Sequence, residues 1–404
     1  MISKEEKWLM QALSAALRGT DTETESMEKV EVNWNRVLTL SQTHAVVPFL
    51  YSLVECGGIH SNIVPSIQNT CIQTVQQSYR LMFLTHYVVT QLEAAGIPVV
   101  VLKGVSAAAL YSVPELRKSG DVDLFLPQAE ETLERAAKVM DEAGFLREVE
   151  QRVNHHHVWR TPQGIEIELH VMLAEPFDDE GVNRILADIS QNVSQHMERK
   201  EIMGLSFPVL AEAYQAYQLL LHMLQHFLRS GFGLKLLCDW VVFWNRNISK
   251  EEIRQYKHLI RESGLEGFSD MVTWICMNHL GLYESKGKQI ISPKNMSERY
   301  DSFLEDILEA AEFGQNDEAR MVVLRGTGLK DYVREFHHQM KLTYPTEGKK
   351  IILWPILWTK LFLQFCRNNK QIRNVSTRQV LKKARERSRN MANLRLFQKN
   401  GKKS

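Results

Sequence analysis

Two aspartates one residue apart, Asp121 and Asp123, stand in the stretch Gly120-Asp121-Val122-Asp123-Leu124-Phe125-Leu126. Polar and apolar residues alternate there with period two, the mark of a strand with one buried face, so both carboxylates project from the same side. Carboxylates forced side by side repel unless a cation sits between them. Hard oxygen donors suit Mg²⁺, which keeps its other positions for water and phosphate oxygens. A second segment, Ile165-Glu166-Ile167-Glu168-Leu169-His170-Val171, repeats the one-faced polar pattern, and a neighbouring strand of this kind can supply Glu168 as a third carboxylate. Three carboxylates can hold two metals about 3.5–4 Å apart, the clamp used in in-line phosphoryl displacement. Glu166 shares that face and is the alternative third donor. His170 either orients a carboxylate, contacts phosphate or makes a structural hydrogen bond.

Cations accompany these acids. Lys103 ends a short β-branched run, and Arg117 precedes the aspartates; they are placed in sequence to neutralise phosphates, Lys as a point charge and Arg as a fork. Gly120 lets a phosphate-bearing ligand approach the backbone. A lone D-x-D on a strand is more often solvated surface than a metal site. The order strand, Lys-Gly, Gly-Asp-x-Asp strand, acidic strand reverses those odds.

The elements that must position these residues are legible from periodicity. Residues 1–93 read as a helical region, with Trp8, Leu9, Leu13 and Leu17 at helical spacing and a long helix from about Val64 to Ala94 stopped by Gly96-Ile97-Pro98. Residues 94–210 read as a mixed α/β core: strands at Val99–Leu102 and Asp121–Leu126, a helix over 128–143 ending at Gly144, and a hairpin of His156–Trp159 with Ile165–Val171 across Pro162-Gln163-Gly164. Residues 211–345 are helical again, and 346–404 carry an apolar helix and a basic tail. The expected fold class is α+β, a small mixed sheet flanked by N- and C-terminal helical regions.

Leu102-Lys103-Gly104, Arg117, Gly120-Asp121-Val122-Asp123-Leu124 and Ile167-Glu168-Leu169-His170 resemble the polymerase-β-type nucleotidyltransferase superfamily, and more narrowly its bacterial uncharacterised branch. Trp34 through Pro48, with Thr43-His44-Ala45, and the His222/His226 helix leading to Asp239 are similar to that branch too. The resemblance implies transfer of a nucleoside monophosphate from a nucleoside triphosphate to a hydroxyl, with Mg²⁺ or Mn²⁺ on Asp121, Asp123 and Glu168. It also implies that Lys103, Gly104, Ser106, Arg117, Gly120 and His170 contact the nucleotide. The superfamily has Gly-Ser at the first turn, where this chain has Gly104-Val105 with Ser106 one place late.

Other candidates carry less. His155-His156-His157 cannot all ligate one ion from a strand, because consecutive side chains point in opposite directions. His222 and His226 lie four apart in a leucine-rich helix without the metalloprotease glutamate, so packing or contact with the site is favoured over zinc, and Asp239 would bond one of them or end its helical turn. The formal net charge of +1 over 404 residues gives no global bias to nucleic acid or membrane. Five scattered cysteines exclude a disulfide framework and fit a reducing cytosol. No apolar run reaches a membrane span. Beyond Arg367 the basic residues face one acid, Glu386, which makes contact with nucleic acid or an anionic membrane a candidate role for the tail. Two rivals to an enzyme follow: a catalytically degenerate nucleotide-binding or scaffold protein, and a nucleic-acid-binding protein working through that tail.

Overall fold

The computed structural model describes residues 2–19, 31–127, 129–148, 156–177, 179–229, 231–291, 300–312, 329–344, 346–371 and 377–391. Helix α1 (Lys4–Arg18) starts on a reciprocal cap, Ser3 with Glu6, and stops at Gly19 with φ 63°. The long helix α2 (Val64–Ala94) begins with Pro65 in its first turn and ends where Gly96 takes φ 67° and the Ile97 N–H reaches back to the Leu92 carbonyl.

Pro98 then forces extension, and the chain enters a seven-stranded mixed sheet. Its strands are β1 (Val100–Val101), β2 (Val122–Phe125), β3 (Leu146–Arg147), β4 (His156–Arg160), β5 (Glu166–His170), β6 (Met197–Ile202) and β7 (Leu205–Leu210), in the order β3-β4-β5-β2-β1-β7-β6. β2 runs parallel to β5 and β1 parallel to β7; the other pairs are antiparallel. The fold is α+β with helical flanks on both sides of the sheet sequence.

The two faces of the sheet have different fates. Val122, Leu124, Ile167 and Leu169 point into an apolar cluster with Leu81, Val88 and Leu92 of α2 and with Ala136 and Met140 of α3 (Ala129–Glu142). The alternate residues Val100, Phe125 and Leu210 join a larger cluster built by α1, α4 (Glu212–Arg229), α5 (Leu234–Asn245) and α6 (Asp301–Ala310). Asp123, Glu168 and His170 stand on that second face, between sheet and α4. The tail helices α7 (Leu329–Thr343) and α8 (Trp354–Gln371) pack through His337, whose ring lies 4.4 Å from Trp354 and 5.7 Å from Trp358. Among the described residues no helix is long and apolar enough to cross a membrane. His155 and, within the basic tail, residues 372–376 and 392–404 lie outside the described residues.

The strand pair β6–β7 and the edge strand β3 go beyond the sequence expectation. β6, Met-Glu-Arg-Lys-Glu-Ile, is an exposed edge whose charges deter further pairing, and Pro208 sits in β7 opposite Arg199. The helix expected from Val105 to Tyr111 is one turn, Val105–Ala108.

Candidate functional site

The parallel pairing of β2 with β5 puts Asp123 directly opposite Glu168 and Phe125 opposite His170. A carboxylate oxygen of each acid and a ring nitrogen of His170 lie within 4.8 Å of one another. The imidazole Nε2 sits between the acids, 2.8 Å from Asp123 Oδ1 and 3.1 Å from Glu168 Oε2. Lys103 Nζ completes the group at 2.7 Å from Asp123 Oδ1. Burial would raise the Asp123 carboxyl, but the Lys103 ammonium and the His170 hydrogen bond override it and hold it far below the usual range. Burial likewise opposes ionisation of Glu168 and His170; the His170 hydrogen bond lowers the acid, and hydrogen bonds to Asp123 and then to Glu168 raise the base.

Asp121 stands just before β2 and lines the same cavity without joining that trio. The Asp123 charge and then burial push its carboxyl up to about 6. Gly104 is needed here for its shape: it takes φ 56°, ψ −107°, and a Cβ on it would come within 3.4 Å of the Asp121 carbonyl oxygen. Gly120 faces open space in the cavity wall.

Four of the residues singled out in the sequence have partners within the protein. Arg117 lines the cavity, but its fork grips Asp239, Nε and Nη2 each at 2.7 Å, while Nη1 donates to Ser119 Oγ at 2.8 Å; the guanidinium shapes the loop before Asp121. Asp239 therefore bonds neither helix histidine, and its second partner is the Tyr111 hydroxyl at 2.7 Å. Ser106 is buried and donates to the Leu102 carbonyl at 2.9 Å, because one turn of helix aims it back at the strand end instead of into the cavity. Glu166, the alternative third donor, pairs with Arg160 across the hairpin.

Around these acids lies a cavity of about 460 Å³ lined by Lys103, Arg117, Lys118 and Lys235 and by the α4 residues Gln218, His222, Gln225, His226 and Arg229. Their spacing of four, three, one and three residues makes a single helical face. Burial holds His222 well below the usual imidazole range and His226 at about 4, so both are neutral near pH 7. Gln218 is buried, and its Oε1 meets no hydrogen-bond donor among the described residues. Sequence reasoning assigned no site role to Gln218, Lys118, Lys235 or Glu312. Lys235 had a faint signal, a lone cation near the start of a largely apolar helix whose one acid is Asp239; Glu312 had none.

The donor set suits a divalent cation. Asp123, Glu168 and His170 converge, and the raised Asp121 carboxyl marks negative charge that the two protein cations leave uncompensated.

A family model described as "Uncharacterised nucleotidyltransferase" matches residues 30–281. The crystal structure of an antigenic nucleotidyltransferase-like protein from Paracoccidioides brasiliensis is similar at 15% identity, over 46% of this chain and 88% of that one, with a TM-score of 0.30. No curated protein sequence matches the chain at a significant level.

Proposed function

Because the chain belongs to the uncharacterised nucleotidyltransferase family, we propose that it transfers a nucleoside monophosphate from a nucleoside triphosphate to a hydroxyl acceptor, using Mg²⁺ or Mn²⁺. The observation that carries this reading is the register of Asp123 opposite Glu168, with Asp121 in the same cavity and the Gly104 turn against its backbone. Asp121, Asp123 and Glu168 would hold the cation, which when bound neutralises charge developing on the phosphate oxygens. His170 and Lys103 keep the Asp123 and Glu168 carboxylates ionised and fixed in direction. The acceptor oxygen attacks the α-phosphorus, the bond to the β-phosphate oxygen breaks, and pyrophosphate leaves. Glu168 takes the acceptor's proton, as an acid that stays ionised can. The protein's contribution is positioning and preorganised charge.

The acceptor must fit beside the α4 face that carries Gln218, His222, Gln225, His226 and Arg229. A hydroxyl borne on a polyanion, such as an RNA end or an anionic membrane component, would find counter-charge in the basic stretch beyond residue 366. The test is incubation of labelled nucleoside triphosphates with cell lysate and full-length protein. Wild type should label an acceptor in a metal-dependent way, and Asp123→Asn should lower labelling by roughly 10²–10³-fold, the scale of losing a preorganised transition-state contact. Labelling that persists undiminished in the variant overturns the assignment. Ser106 turned from the cavity favours a second reading, a binding protein without transfer; it would give metal-dependent ATP binding by calorimetry and no labelled product.

A further inference from the structure

Lys118 and Lys235 reach the cavity from separate elements, the loop ahead of β2 and the first turn of α5. One carboxylate bridges them. Lys235 Nζ lies 2.6 Å from Glu312 Oε1, and Lys118 Nζ lies 3.1 Å from Glu312 Oε2. The Lys235 and Glu312 side chains are only 12% and 11% exposed. The Lys118 side chain, 51% exposed, reaches the same carboxylate from the solvent side, so the two ammonium groups converge on one anion, and a carboxylate using both oxygens occupies the space a phosphate group would fill.

That carboxylate is brought in by a sharp departure of the backbone. Glu312 lies two residues beyond the end of α6, and the intervening Ala311 takes φ 53°, ψ −160°, a region that side-chain-bearing residues rarely adopt. Gly233 closes against this bend: a Cβ on it would come within 3.0 Å of the Ala311 carbonyl carbon and 2.9 Å of His44 Nδ1. Lys118 and Lys235 lie inside the family-matched stretch, residues 30–281, whereas Ala311 and Glu312 lie outside it. The cationic pair and its anion thus come from different parts of the chain.

We propose that Lys118 and Lys235 form an anion site for the phosphate chain of the nucleotide, and that Glu312 is its built-in competitor, displaced when phosphate binds. The identity of the ligand rests on the nucleotidyl-transfer reading; the existence of an exchangeable anion site does not. Glu312 sets how much free phosphate chain is needed to fill the cavity, so nucleotide affinity is tuned by a residue that touches neither the cation donors nor the reacting atoms. A purely structural ion pair makes the opposite demand, since removing its acid would only disorder the lysines.

The experiment is calorimetric titration of full-length protein with inorganic pyrophosphate in the absence of metal. Glu312→Gln should bind roughly tenfold tighter than wild type, the scale of removing one charge-assisted competitor, and Lys235→Met added to it should return affinity to the wild-type level or below. Pyrophosphate should also raise the melting temperature of Glu312→Gln more than that of wild type. Glu312→Asp, one methylene too short to bridge both lysines, should move the same way and serves if the glutamine variant does not fold. Unchanged or weaker pyrophosphate binding overturns the proposal, as does failure of both variants to fold, which would assign Glu312 to the scaffold. Tighter pyrophosphate binding without nucleotide transfer would sink only the transfer reading. Unchanged pyrophosphate binding alongside metal-dependent transfer would sink only this one.

Discussion

Two acid–base clusters adjoin at the loop from Arg117 to Asp121 and differ in how completely they are matched. In the first, the Arg117 fork meets both oxygens of Asp239, and the Tyr111 hydroxyl donates to the same carboxylate. One positive and one negative charge, 6% and 1% exposed, balance there. In the second, Asp121, Asp123 and Glu168 crowd against Lys103 and His170, and the Asp121 carboxyl is pushed up to about 6 by its neighbour's charge. The matched set fixes the backbone from Arg117 to Gly120. The mismatched set faces the cavity. A fold spends its complementary pairs on holding a loop still and leaves excess charge of one sign where a ligand of the other sign is to be received.

The largest effect that would break this comparison is a pair of stability changes of opposite sign. Asp239→Asn leaves the buried Arg117 charge uncompensated and should cost about 3–5 kcal/mol. Asp121→Asn removes a charge that Asp123 and burial disfavour, and in metal-free protein should stabilise by about 1–3 kcal/mol. Urea denaturation near neutral pH reads both. Two losses of similar size would mean that Asp121 is scaffold, like Asp239.

How much of this was legible beforehand follows from where the information sits. Period-two alternation around Asp121–Leu126 and Ile165–Val171 encodes the strands and the shared face locally, so the cradle could be read before its register was known. The partners of Arg117 could not. A fork ahead of two aspartates suits phosphate as well as carboxylate, and only the tertiary placement of α5, which brings Asp239 to Arg117 across 122 residues of sequence, decides between them. The direction of Ser106 was hidden for a nearer reason, one turn of helix that aims its hydroxyl at the Leu102 carbonyl. β6 was hidden because an edge strand of charged residues carries little apolar pattern.

A third buried group sharpens the scaffold side of the comparison. His44 is fully buried, and its Nδ1 accepts the Leu234 N–H at 3.3 Å, tying the N-terminal region to the start of α5 next to Lys235. Burial lowers its pKa to about 4, against the raising influence of Glu6 and Glu312. The unfolded chain takes up a proton below about pH 6.5 and the folded one only near 4, so the unfolded state binds more protons across that window. Stability from this group is full above pH 6.5 and lost as pH falls toward 4, by roughly 3 kcal/mol. His44→Gln should flatten that part of the acid limb of a urea-midpoint profile. An unchanged limb would show that His44 is protonated in the folded state, which its accepted hydrogen bond from Leu234 forbids.

The smallest effect tests whether the matched cluster is anchored by its arginine. Tyr111→Phe deletes one donor to Asp239 Oδ1 and leaves the Arg117 fork in place. The ring itself is held by Phe49, stacked at 5.0 Å and 10°, so the variant should keep its packing and lose a hydrogen bond to a charged acceptor, about 1.5–3 kcal/mol before relaxation. Because the carboxylate remains doubly bound by Arg117, the measured loss should fall at or below the lower end of that range, with nucleotide transfer retained. A cost equal to that of Asp239→Asn would mean that Tyr111, not Arg117, holds the carboxylate in register, and that the loop ahead of Asp121 is fixed from Tyr111 and the Phe49 stack on it instead of from α5.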